Sequence, residues 1–72
     1  MSGPSGTDAL VRMVNQIARN FSHESADEAA SQIAGHLNAF WAPSMRAQLL
    51  AYVASGGAGV DQLALSALSQ VR

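Results

Sequence analysis

The chain contains no cysteine and no lysine. Without cysteine it has no disulfide to staple a small fold and no thiolate to hold zinc or an iron–sulfur cluster. Its two histidines, His23 and His36, have no further ligand at metal-binding spacing. With no lysine, the four arginines are its only basic side chains besides the histidines, and the formal net charge is −1. A nucleic-acid binder needs a basic stripe to neutralise phosphates, so that class is poorly supported. No apolar run approaches the ~20 residues of a membrane-spanning helix. The N-terminus lacks a basic segment followed by an apolar one, so no secretory signal is visible and a cytoplasmic location is the default expectation.

Charge of either sign is scarce. Charged residues are 12% of the chain, against about 25% in ordinary soluble domains. Ala, Ser, Gln and Asn take their place, and such a surface is cheaper to desolvate than one of Lys and Glu. Part of the exterior is therefore expected to be covered in the working state. At 72 residues there is room for one domain, and a core this small gives marginal stability. With disulfides and thiolate metal sites excluded, a partner or self-association is the remaining support. Whether the isolated chain forms a homodimer is left open.

What is present is helical periodicity. Residues 1–6 are small, polar and broken by Pro4, and are expected to form a loose, disordered tail ahead of a single helical domain over 7–72. Thr7 or Asp8 is placed to cap a first helix over about 8–21. Leu10, Val14, Ile17 and Phe21 line one stripe of it, and Arg12 and Arg19 lie opposite. Asn15 and Gln16 on the shoulders read as solvated amides. Ser25-Ala26-Asp27-Glu28 fits a capping box for a second helix over 26–41. Its stripe is Ala26, Ala29, Ala30, Ile33, Ala34, Leu37, Phe40 and Trp41, thin at the start and bulky at the end. His36 lies at the stripe's edge, with no Ser, Cys or carboxylate spaced to activate it, and reads as a boundary residue.

Pro43 disfavours the helical region for Ala42 and suits the first turn of a third helix over 43–55. In that helix Met45, Leu49, Leu50, Tyr52 and Val53 spread over an arc of about 160°, wider than a ~100° core stripe. Arg46 falls inside the arc. Such an arginine must snorkel, pair with a carboxylate, or bond exposed carbonyls at a helix end. It either does so within the chain, at Asp61 or a helix C-terminus, or reaches a partner. Gly56-Gly57-Ala58-Gly59 reads as the turn ending this helix. It has neither the spacing of a dinucleotide loop nor the lysine of a phosphate-binding loop. Asp61 then caps a fourth helix over 62–71, with Val60 positioned to staple onto Leu65. The fold class read from this pattern is all-α, a small bundle of four short helices.

The series Leu10-Val11-Arg12-Met13, Asn15-Gln16-Ile17-Ala18, Ile33-Ala34-Gly35-His36-Leu37, Phe40-Trp41-Ala42-Pro43, Met45-Arg46-Ala47-Gln48-Leu49-Leu50 and Gly56-Gly57-Ala58-Gly59, with Ala67-Leu68 beyond, resembles the delta subunit of NAD-dependent molybdenum- or tungsten-containing formate dehydrogenases. The chain departs from that family's pattern at Ser44, Tyr52 and Gln62, where a basic residue, a histidine and a proline are usual. The resemblance implies a non-catalytic accessory subunit, with no catalytic residue and no cofactor or metal bound by this chain. It implies binding to the catalytic alpha subunit, and a part in stabilising or assembling a complex whose other subunits carry bis-molybdopterin guanine dinucleotide, iron–sulfur clusters and FMN. Trp, Tyr and Arg often dominate interface energy. Trp41, Pro43, Met45, Arg46, Leu49 and Tyr52 are accordingly the expected partner-binding residues, some of Trp41, Met45, Arg46 and Tyr52 in an exposed patch. The competing readings are a small helix-turn-helix DNA binder, in which Arg12, Arg19, Arg46 and Arg72 converge on one face, and a generic helical adaptor. A small enzyme is disfavoured for want of a nucleophile–base pair.

Overall fold

The computed structural model describes residues 6–72 as four helices and a closing 3-10 turn: α1 (Gly6–Asn20), α2 (Ala26–Phe40), α3 (Pro43–Ala54), α4 (Gln62–Ala67) and the turn Leu68–Gln70. No strand occurs among the described residues, in keeping with the all-α bundle read from the sequence. α1 begins earlier than its capping pattern suggested. Thr7 and Asp8 sit inside its first turn, where an acidic side chain still favours the positive end of the helix dipole. Gly6, assigned to the tail, is helical. The rest of that tail, 1–5, lies outside the described residues.

The breaks between helices follow the local chemistry. Ser25 Oγ accepts from the Glu28 amide at 3.2 Å and caps α2. The return half of the capping box is replaced, since the Glu28 carboxylate accepts from Gln32 Nε2 at 3.2 Å. Trp41 and Ala42 are both extended, with ψ of 140° and 149°, as the residues leading into a proline prefer. Pro43 then opens α3. At the other end, Gly56 N–H donates to the Val53 carbonyl and Gly57 N–H to the Tyr52 carbonyl, both at 3.1 Å. These are the two bonds of a Schellman ending. Gly57 has φ +67° and is buried. A Cβ there would lie 3.3 Å from Val53 Cα, so the turn needs glycine for its backbone and for close approach. Asp61 Oδ1 accepts from the Leu63 amide at 2.9 Å and caps α4. The fourth helix, expected to run to 71, tightens after Ala67 into the 3-10 turn and is extended at Val71.

α1 packs mainly on α3, and α2 on α4 and the turn that follows it. Leu10, Val14, Ile33, Leu37, Trp41, Leu49 and Leu68 supply the bulk of the core. Burying an aliphatic side chain of this size contributes about 1.5–3 kcal/mol. Ala18, Ala29, Ala30, Ala34, Ala64 and Ala67 supply the rest. Alanine on facing helices lets their backbones approach closely, which explains how a helix as short as α4 seals against the thin half of α2. α3 is anchored more lightly, with Leu49 its one fully buried residue. That matches its wide apolar arc, most of which stays half-buried.

Candidate partner interface

The α2–α3 corner is built around the carbonyl oxygens that α2 leaves unsatisfied at its end. Arg46, one turn into α3, reaches back to them. Its Nη1 donates to the Trp41 carbonyl at 2.6 Å and to the Asn38 carbonyl at 3.4 Å. Its Nε donates to the Arg72 carbonyl at 2.9 Å. Of the roles open to Arg46 in the sequence, the structure realises bonding to a helix C-terminus. A guanidinium suits this because its N–H groups form a rigid fork that can serve several carbonyls together. Asn38 completes the arrangement. Its Nδ2 donates to the Gln70 carbonyl at 3.1 Å, and its Oδ1 accepts from the Arg72 amide at 2.9 Å. The last three residues are thereby tied to the corner.

The six residues expected to contact a partner divide by burial. Trp41 and Leu49 belong to the core, at 5% and 1% exposed. The expectation of an exposed Trp41 is therefore corrected. Its burial agrees with its place at the end of the α2 stripe rather than with an exposed patch. Met45, Arg46 and Tyr52 are half-buried, and Pro43 is exposed. Trp41 and Arg46 meet through the Trp41 carbonyl. Tyr52 does not join them, because its hydroxyl donates to the Ala58 carbonyl and braces the glycine turn.

Sequence reasoning gave Phe40 to the core, yet it is 76% exposed. By helical angle it sits within about 20° of Ile33, on the buried stripe of α2. The stripe simply runs past the end of the bundle. His36, one turn back and half-buried, has its ring centroid 4.9 Å from that of Phe40, tilted by 44°. The signal available in the sequence was Pro43. A bulky residue in the last turn before a break has few neighbours above it.

Asn15, read as a solvated amide, is instead a structural clamp. Its Nδ2 donates to the Gly59 carbonyl and its Oδ1 accepts from the Asp61 amide, both at 2.8 Å. Gln16 fits the earlier reading better, being exposed and accepting from Arg19 Nη2 at 2.7 Å. No cluster of His, Asp or Glu suited to a metal ion and no pocket occur among the described residues, and no helix is long and apolar enough to cross a membrane. What the corner offers is a protruding aromatic side chain on a braced support, which suits contact with another macromolecule.

Neither a curated protein nor a solved structure matches the chain. A family model does, over residues 9–68, from the second turn of α1 into the closing 3-10 turn. With nearly all of the helical domain inside that match, the chain belongs to the NADH-dependent formate dehydrogenase delta subunit family, FdsD.

Proposed function

We propose that this protein is a non-catalytic accessory subunit that binds the catalytic alpha subunit of a cytoplasmic NAD-dependent formate dehydrogenase and stabilises or helps assemble that complex. The observation that carries this reading is the family match across residues 9–68. The chemistry of the chain is consistent with it. A protein without cysteine cannot ligate iron–sulfur clusters through thiolates, so the molybdopterin, iron–sulfur and flavin groups of such an enzyme belong to its partners under this proposal. The contact surface is placed at the α2–α3 corner, with Pro43, Met45, Arg46 and Tyr52 on or near it and Trp41 and Leu49 supporting it from beneath. The DNA-binding alternative is weakened by Arg46, whose guanidinium is committed to backbone carbonyls.

The test is to purify the formate dehydrogenase complex from its host with and without this chain. The expected result is that a tagged copy brings down the catalytic subunit. Without the chain, the yield or thermal lifetime of the complex falls, while each intact complex keeps its turnover. Equal yield and lifetime without the chain, together with no co-purification, would defeat the proposal.

A further inference from the structure

A core stripe that overruns its own bundle is an unfinished core. Ile33 and Leu37 are fully buried. Phe40, the next residue on their side of α2, is 76% exposed. Leaving an aromatic ring in water forgoes much of the roughly 1.5–3 kcal/mol its burial would yield. The ring's surroundings are ready for burial. Residues 29–45 contain no Asp, Glu, Lys or Arg, and the neighbouring cation, Arg46, is half-buried with its N–H groups already on backbone carbonyls. Ala39, Ala42 and Pro43 beside Phe40 are also exposed. The support is braced by Arg46 on the Trp41 carbonyl and by His36 against the ring. A ring already held in place loses little entropy on docking.

We infer that Phe40 is the anchor of the partner interface and that its receptor is an uncharged apolar socket on the partner protein. Charge and shape select this occupant. A nucleic acid or an anionic lipid surface would call for a basic cluster around the ring, and none surrounds Phe40 in the sequence between 29 and 45. A second copy of this chain offers no socket, because no pocket exists among the described residues. Two copies meeting at this face could only lay one ring on another and would bring the two Arg46 charges together. Residues 1–5 include only one large apolar side chain, Met1, too little to cover the ring. The inference rests on the proposed accessory role and names the chemistry of its contact.

The experiment compares wild type with Phe40→Ser and Phe40→Leu. Because the ring is exposed, both variants keep the circular dichroism and thermal midpoint of wild type. Binding to purified formate dehydrogenase complex lacking this chain is then measured. Phe40→Ser weakens it by about tenfold or more, as loss of an interface anchor does, and Phe40→Leu retains part of it. A photo-crosslinking phenylalanine analogue at position 40 links to an apolar site on the partner. Wild-type binding with Phe40→Ser equally tight overturns the inference and leaves the accessory role standing. So does crosslinking to another copy of this chain, or to residues 1–5. If wild type itself does not bind the complex, the accessory role fails first, and the anchor falls with it.

Discussion

Asn15 and Asn38 grip the chain just before α4 and at the end of the 3-10 turn that follows it, by the same pair of hydrogen bonds. Each amide nitrogen donates to a backbone carbonyl, of Gly59 and Gln70 respectively, and each amide oxygen accepts from the backbone N–H two residues on, at Asp61 and Arg72. The bracketed residues, Val60 and Val71, are half-buried and pack against the core. α4 is only six residues long, too short to be stable by local propensity, so its position depends on how its flanks are tied.

Removing either clamp should therefore loosen α4 more than its exposed location suggests. Asn15→Ala and Asn38→Ala each forfeit two hydrogen bonds, about 1–2 kcal/mol in total. That corresponds to about 4–8 °C in the thermal midpoint for every kcal/mol in a domain of this size. Amide hydrogen exchange would report the change as lost protection in residues 62–68, with α1 and α2 losing protection only through the global shift.

Two glycines should respond in opposite directions to alanine. Gly57→Ala places a Cβ 3.3 Å from Val53 Cα at φ +67°, and the strain costs about 1–3 kcal/mol. Gly35 lies in the middle of α2 with open space where its Cβ would be. Gly35→Ala should stabilise the protein by about 0.5–1 kcal/mol. Thermal melts of the two single variants check both signs.

Arg46→Ala should uncap α2 and free the C-terminal segment together. Three hydrogen bonds to carbonyls are lost, including the 2.6 Å bond to Trp41, at a cost of about 2–4 kcal/mol if hydrogen bonds to charged groups keep even part of their usual worth. Trp41, whose carbonyl Arg46 holds, is the chain's single tryptophan and is buried. Its fluorescence should shift to longer wavelength as water reaches the ring. Arg46→Lys preserves the charge but not the fork, and should recover less than half of the loss.

Ser25→Ala removes the N-cap of α2 and should cost about 1 kcal/mol. Thr7→Ala, once read as a cap, should cost less. It loses only the exposed bond from Gln48 Nε2 at 2.7 Å. Denaturant unfolding of the two variants tests whether the first helix begins ahead of Thr7.

The elements most legible in the sequence were those fixed by neighbours in the chain. Ser25, Pro43, Gly56-Gly57 and Asp61 end or begin helices through bonds within a few residues, and each does so where its type predicts. The aliphatic stripe of α2 was legible for the same reason. What escaped were relationships across the chain. Asn15 looks solvated from its own helix, because the backbone it clamps lies more than forty positions away. Phe40 and Trp41 stood together at the end of one stripe, and only the packing of distant segments separates them. Phe40 keeps the angle of the stripe and runs out of neighbours, whereas Trp41 is covered by the core. At the α2–α3 corner it is therefore Phe40, and not Trp41, that stands outermost.

The buried alanines of α2 and α4 also make the protein's tolerance of change one-sided. Ala29, Ala30, Ala34, Ala64 and Ala67 are at most 5% exposed, and each has a single methyl group to give up. Any enlargement must displace packed neighbours, at about 1–3 kcal/mol for each overpacked site. Substitution at these positions is therefore confined to side chains no larger than the methyl they replace, and the packing of α2 and α4 has little room to grow.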